Sequence, residues 1–285
     1  MSIKQSELRL PRWMKVPLPK GANYSRVKNL IKDNGLNTIC VSGNCPNKGE
    51  CWNAGTATFM ILGSKCTRNC RFCQVTSLKP NPVDYNEPQR LAETIRTLDL
   101  KHAVITSVSR DDLEDGGASI WAETIRQVRK LSPNTTLEVL IPDFKGVHEH
   151  LQMVIDAKPN VISHNIETVE RLTPKVRSMF TYKGSLDALK YIAESGITTK
   201  SGMMLGLSET KDEVLQAMKD LREVGVKVVT IGQYLPPSEK HAQLVEYVKP
   251  EMFELYKEEG LKMGFKVVES GALVRSSYHA ERHVL

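Results

Sequence analysis

The sequence predicts an α/β protein, a partial parallel (β/α)6 barrel carrying an N-terminal extension and a short C-terminal segment, and three observations predict it. From Thr56 onward, short β-rich runs alternate with segments of helical period. Six such units can be read, which falls short of the eight of a complete barrel. Residues 1–55 hold little strand pattern, yet they contain Cys40, Cys45 and Cys51. The expected organisation is therefore an extension over 1–55, the βα array over 56–265, and a terminal segment over 266–285.

The elements follow in chain order. The extension opens with a proline-rich arm (Pro11, Pro17, Pro19) and a short helix candidate over 25–33. It continues through VSGNCPNKGEC, whose glycine, asparagine and proline content reads as loop ordered by a metal rather than by a core of its own. Strands are expected over 57–62, 102–107, 135–140, 161–165, 198–204 and 227–232, where β-branched and apolar residues cluster in runs of strand length. Helices are expected over 88–98, 117–131, 147–156, 184–195, 209–223 and 250–263, with a last extended piece at 265–269. Strand-helix alternation of this kind implies a parallel sheet.

Composition narrows the class. The chain has 285 residues, 40% hydrophobic and 25% charged, ordinary values for a globular protein and incompatible with disordered or collagen-like chains. The first 21 residues contain no apolar stretch of signal-peptide type, and no segment approaches membrane-spanning length. A cytoplasmic protein with no membrane association is the expectation. A net charge of +6 favours an acidic partner mildly. No long basic run with interleaved aromatics supports nucleic-acid binding, and none is expected.

All six cysteines lie between positions 40 and 73, as Cys40, Cys45, Cys51 and then Cys66, Cys70, Cys73. In a reducing compartment, clustered cysteines read as metal ligands or catalytic thiols before disulfides. A structural zinc site wants four ligands, and the nearest histidine to the second triplet is His102. A zinc knuckle is the bland alternative. Three cysteines instead leave one coordination position open. The second triplet, CxxxCxxC, directly follows the first strand, at the end where βα folds place their active sites.

CxxxCxxC in that loop resembles the signature of the radical S-adenosylmethionine superfamily, so the barrel is expected to be of that type. The resemblance implies a 4Fe-4S cluster on Cys66, Cys70 and Cys73, with the fourth iron receiving the amine and carboxylate of S-adenosylmethionine. GMMLGLSE (202–209) matches the superfamily's GxIxGxxE pattern with Met204 in place of isoleucine, making Gly202 and Gly206 candidate cofactor contacts; packing or capping glycines are the alternative. SHNIET (163–168) ends where the superfamily contacts ribose, so Asn165 and Glu167 are candidates, against a capped turn. After the second strand, TSVSRDDLEDGGA offers Ser107, with Arg110 and Asp111, toward the methionine end, against a solvated acidic loop. Met203 and Met204 read as core, and His164 as a satisfied core histidine.

NTICVSGNCPNKGECW (37–52), TATFMILG, TIGQYLPPSEKH (230–241) and the terminal GALVRSSYHA (271–280) together resemble the lipoyl synthase family across essentially the whole chain. That resemblance implies a second, auxiliary 4Fe-4S cluster on Cys40, Cys45, Cys51 and the second serine of RSSY, Ser277; spacing alone does not choose between Ser276 and Ser277. It implies a sulfurtransferase that inserts two sulfur atoms, drawn from the auxiliary cluster, at C6 and C8 of a protein-bound octanoyl-lysine chain. Implied partners are octanoylated lipoyl carrier proteins, such as the glycine-cleavage H protein or the acyltransferase subunit of a 2-oxoacid dehydrogenase, and an electron donor such as ferredoxin or flavodoxin. Ser64 stands where the family pattern has aspartate, and Ala272 where it has proline. Other radical enzymes with an auxiliary cluster, a non-catalytic iron–sulfur module, and a redox sensor remain as alternatives.

Overall fold

The structure, a computed structural model, describes residues 9–16, 21–177 and 179–285. Pro17 and Pro19 of the arm lie outside the described residues. The chain divides into two compact units.

The first unit holds residues 16 and 21–68, Gln74–Ser163 and His279–Leu285. Helix α1 (Ala22–Asp33) buries Val27 and Ile31, one turn apart, and leaves its remaining faces polar. Strand β1 (Asn37–Thr38) runs antiparallel to β2 (Thr58–Ile61). Between them come two short helices, α2 (Ile39–Ser42) and α3 (Lys48–Asn53), in a stretch expected to be loop. Thr38 starts α2 by accepting the Val41 amide on its hydroxyl, an N-cap that no hydrophobic period signals. A two-residue ladder joins β3 (Lys65–Cys66) to β4 (Thr76–Ser77).

The remainder of this unit is a run of parallel strands with helical crossovers. Strands β5 (His102–Ser107), β6 (Thr136–Leu140) and β7 (Val161–Ser163) extend the ladder from β2 in the order β2-β5-β6-β7. Helices α4 (Glu87–Leu98), α5 (Ala118–Leu131) and α6 (His148–Asp156) cross between them. In α4 the buried face is Leu91, Ala92, Ile95 and Leu98, the spacing of one helical stripe. A terminal 3-10 turn, Ala280–His283, brings fully buried His283 to 3.9 Å from Glu138 on β6.

The second unit holds residues 9–15, Asn69–Cys73 and His164–Tyr278. It contains α7 (Thr173–Val176), α8 (Tyr182–Glu194), β8 (Thr198–Leu205), α9 (Lys211–Glu223), β9 (Val228–Gln233), α10 (Pro250–Lys262) and β10 (Val267–Gly271). The three strands pair in parallel as β8-β9-β10, so the extended piece expected at 265–269 is a further strand of the ladder. A core of Met203, Leu205, Val214, Met218, Leu221, Val229, Ile231 and Phe253, among others, packs the helices on the strands. Met203 belongs to this core and Met204 packs against it, as read from the sequence. Alternate residues of β8, Lys200 and Gly202, face polar groups instead.

Every strand and helix expected from Thr56 onward is present, with ends displaced by one to a few residues. The parallel ladders bear out the fold class within each unit.

Candidate active site

In the first unit, β2 runs into a turn made by two consecutive left-handed residues, Leu62 (φ 67°) and Gly63 (φ 93°). Glu87 holds this turn, its carboxylate accepting the Leu62 amide at 2.7 Å. Burial pushes the Glu87 carboxyl up against that bond. The chain then reaches Cys66, whose sulfur accepts the backbone amides of Arg68 and Ser109, both at 3.4 Å. Amides aimed at a cysteine sulfur suit a thiolate that ligates iron.

Arg68 is the anchor of this loop. Its guanidinium binds Asp111 through Nε at 2.8 Å and Nη2 at 2.7 Å, and Asp143 through Nη2 at 2.8 Å and a second contact from Nη1. Thr67 donates its hydroxyl to Asp111 at 2.8 Å and to the Ser109 carbonyl at 3.0 Å. Burial alone would raise the Asp111 carboxyl, but the hydrogen bonds from Arg68 and Thr67 outweigh it and hold the group below the usual carboxylate range. Arg110 is likewise engaged, by Asp112 at 2.8 Å and the Leu62 carbonyl at 3.3 Å. Of the three residues considered for the methionine end, Arg110 and Asp111 are thus committed to protein partners in this structure. Ser107 closes β5 with a buried hydroxyl that has no hydrogen-bond partner among the described residues.

The first triplet also lies in this unit. Cys40 is on α2, Cys51 on α3, and Cys45 in the turn between them, where its amide bonds the Cys40 carbonyl at 3.1 Å. Burial pushes the Cys51 thiol up to about 12, with the charges of Cys40 and Cys45 adding to the shift. Cys40 is raised by burial too, with Cys45 contributing. Cys40 and Cys51, each raised in part by its cysteine neighbours, share one site with Cys45, and such a donor set calls for a cationic centre to make it anionic. No disulfide links any of the six cysteines. Among the described residues no three histidine, cysteine or acidic side chains converge on a point fit for a single metal ion. A cubane asks for something else, since its thiolates sit on different irons.

In the second unit, Cys70 and Cys73 form one turn, the Cys73 amide bonding the Cys70 carbonyl at 3.1 Å. The Arg71 amide donates to the Val176 carbonyl at 2.9 Å, and the Ala242 amide donates to the Arg71 carbonyl at 2.6 Å. His241, last residue of TIGQYLPPSEKH, donates from Nε2 to the Cys73 carbonyl at 3.1 Å, while Ser238 donates to its Nδ1 at 2.9 Å. His164 meets the Ser185 hydroxyl at 3.0 Å, the satisfied core histidine expected.

Asn165 follows β7, and its Nδ2 donates to the Ser276 hydroxyl at 2.9 Å. Its Oδ1 is buried with no partner among the described residues, an acceptor that a polar ligand would satisfy. Glu167, half-buried and left-handed at φ 67°, has its carboxyl pushed up by burial, with Arg177 opposing. At Gly202 a Cβ would stand 2.4 Å from Thr230 Oγ1 and 3.0 Å from Asn165 Oδ1. At Gly206 (φ 104°) it would meet Gln233 at 2.4 Å and the Glu246 carbonyl at 2.6 Å, so protein atoms surround that glycine. Glu209 of the same motif accepts the Gly206 and Leu207 amides at 2.5 and 2.9 Å, folding GLSE back on itself.

Ser277 is half-buried in the terminal segment, inside a turn closed by the Tyr278 amide on the Arg275 carbonyl at 2.9 Å. Lys200 holds the preceding residue, donating from Nζ to the Ser276 carbonyl at 2.5 Å. Sequence reasoning missed Lys200, His241 and the Arg68 clamp. Two signals pointed to them, a lysine inside the strand run TTKSGMM and the place of His241 at the end of TIGQYLPPSEKH, but neither assigned a role.

The comparisons agree with this geometry. The family model described as the Radical SAM superfamily matches residues 60–221, which run from the end of β2 through the cysteine loop and strands β5 to β8 into helix α9. Solved structures share the fold: methylornithine synthase, with a TM-score of 0.56 and 11% identity over 91% of this chain and 86% of its own, and Streptococcus suis SuiB bound to S-adenosylmethionine, with 0.59 and 10% over 80% and 55%. Fold and cysteine loop define a radical S-adenosylmethionine protein, a class that works with a 4Fe-4S cluster and S-adenosylmethionine. A second model, the N-terminal domain of lipoyl synthase, matches residues 2–45. The lipoyl synthases of Treponema denticola and Flavobacterium johnsoniae are 58% and 55% identical, over 97% and 96% of this chain and 96% of each relative; the mitochondrial lipoyl synthase of Nematostella vectensis is 55% identical over 96% of this chain and 94% of its own. The chain belongs to the lipoyl synthase family.

Proposed function

We propose that this protein is a radical S-adenosylmethionine sulfurtransferase that inserts sulfur at C6 and C8 of an octanoyl chain borne on a carrier-protein lysine, forming the lipoyl group. The observation that carries this reading is the similarity to curated lipoyl synthases over nearly the full length of both chains. Cys66, Cys70 and Cys73 would hold one 4Fe-4S cluster, and Cys40, Cys45, Cys51 and Ser277 the auxiliary one. When bound, these groups with S-adenosylmethionine supply a radical strong enough to remove an unactivated hydrogen, and the sulfide to be inserted.

The chain's own residues do the rest. The Arg68 and Ser109 amides donate to the Cys66 sulfur and fix its direction. His241 and Val176 fix the backbone around Cys70 and Cys73. Ser107, Asn165, Glu167, Gly202 and Gly206 are the assigned S-adenosylmethionine contacts; the unsatisfied Ser107 hydroxyl and Asn165 carbonyl oxygen support the first two. A serine oxygen is a harder donor than thiolate, so Ser277 is a replaceable ligand on a cluster that gives up sulfur. The division of labour is three-part: 1–55 carries the auxiliary cysteines, 56–265 the radical chemistry, 266–285 the serine.

The carriers are the glycine-cleavage H protein or a 2-oxoacid dehydrogenase acyltransferase subunit, and the electron donor a ferredoxin or flavodoxin. A net charge of +6 suits acidic partners of this kind. No helix among the described residues is long and apolar enough to cross a membrane, and a cytoplasmic site of action is part of the proposal. The test is anaerobic incubation of reconstituted protein with S-adenosylmethionine, a strong reductant and an octanoyl-lysyl peptide. Mass detection should find 5′-deoxyadenosine and a thiolated peptide. Deoxyadenosine without sulfur on the peptide would sink the lipoyl assignment and leave the radical one.

A further inference from the structure

Lys200 is wholly buried in the middle of β8, and neither cluster nor the assigned cofactor contacts give it a role. An ammonium group taken out of water is costly unless strong acceptors replace the solvent. Its Nζ donates to the Ser276 carbonyl at 2.5 Å, and Asn165 Nδ2 donates to the Ser276 hydroxyl at 2.9 Å. One residue of the terminal segment is therefore gripped by main chain and side chain together, from Lys200 on β8 and from Asn165. The same segment lies hard against β9, where a Cβ on Gly232 would stand 2.2 Å from the Val274 carbonyl oxygen. Arg275 donates to that oxygen at 2.7 Å, and the turn from Arg275 to Tyr278 encloses both serines.

The carbonyl and the hydroxyl of Ser276 are thus committed to Lys200 and Asn165, and its neighbour Ser277 is carried at the next position of the turn. We propose that Lys200 is a positioning residue for Ser277: with Asn165 it latches Ser276, and the latch sets where the adjacent hydroxyl is presented as a ligand. The inference rests on Ser277 being the non-cysteine ligand of the auxiliary cluster. A lysine suits the task because its long stem spans the strand face while its head group binds a carbonyl, which no apolar residue can do.

The test compares Lys200→Met, which keeps length and loses the donor, with Lys200→Arg, which keeps a donor, in the reconstituted full chain. Hydrogen exchange should speed up roughly ten- to hundredfold over 271–278 in Lys200→Met, the effect of losing a charged hydrogen bond. Lys200→Arg should stay near wild type. Mössbauer spectra of Lys200→Met should show the non-cysteine iron of the auxiliary cluster altered, with S-adenosylmethionine cleavage retained and sulfur insertion reduced. Unchanged exchange together with an unchanged iron signature overturns the proposal. If Lys200→Met does not fold, Ser276→Ala, which removes only the Asn165 bond at a half-buried position, should raise exchange in the same segment, and failure to do so is equally fatal. Wild-type protein lacking an oxygen-ligated iron would overturn the ligand reading on which the proposal rests, while an exchange difference in the same samples would still establish the latch.

Discussion

Arg68 shows how much of this site depends on single side chains far apart in sequence. Its guanidinium is 7% exposed and its partner Asp143 1%, so the pair is desolvated and neither charge can be orphaned cheaply. Asp143→Ala should destabilise the iron-free chain by about 3 kcal/mol, read as a lower urea midpoint, because it leaves a buried cation half-paired. Asp111 brings a pH dependence. Its folded-state carboxyl is depressed, so the stabilisation is present above the ordinary carboxylate range and is lost as pH falls through the depressed value. Urea midpoints of wild type and Asp111→Asn should differ at neutral pH and converge in acid; parallel curves would mean that ionisation of Asp111 does not matter. At Gly202 the crowding by Thr230 and Asn165 predicts that alanine costs about 1–3 kcal/mol in thermal unfolding. The glycine was legible in the motif GMMLGLSE, but its neighbours were not.

At the scale of elements, the sequence carried most of the fold. Helix α9 buries Val214, Ala217, Met218 and Leu221 at helical spacing and opens on a capping box in which the Thr210 hydroxyl accepts the Glu213 amide and Glu213 accepts the Thr210 amide. Thr210→Ala should therefore cost about 1 kcal/mol, a fall of about 2–4 °C in melting temperature for a chain of this size. Helices α2 and α3 escaped notice for a physical reason. At four and six residues they are too short to show a period, and caps and tertiary contacts rather than propensity sustain them. β8 was legible as a strand, but the meaning of its buried lysine was not, since a strand pattern alone does not say what faces a buried head group.

For the molecule as a whole, iron stoichiometry is the decisive measurement. Reconstituted wild type should hold about eight irons, and removal of either triplet by alanine substitution should leave about four. Loss of the first triplet should spare S-adenosylmethionine cleavage and abolish sulfur insertion; loss of both activities would assign that triplet to folding. The sequence by itself determined the strand-helix alternation, the two cysteine triplets and the terminal RSSY, because ligand chemistry and hydrophobic period are local properties of residue order. Only the tertiary structure decided that Arg68 is clamped by residues 43 and 75 positions away, and that Ser276 is held from 76 and 111 positions away. Such partners are chosen by packing, because burial removes water as a competitor and leaves each polar group only the donors and acceptors that the fold brings within reach.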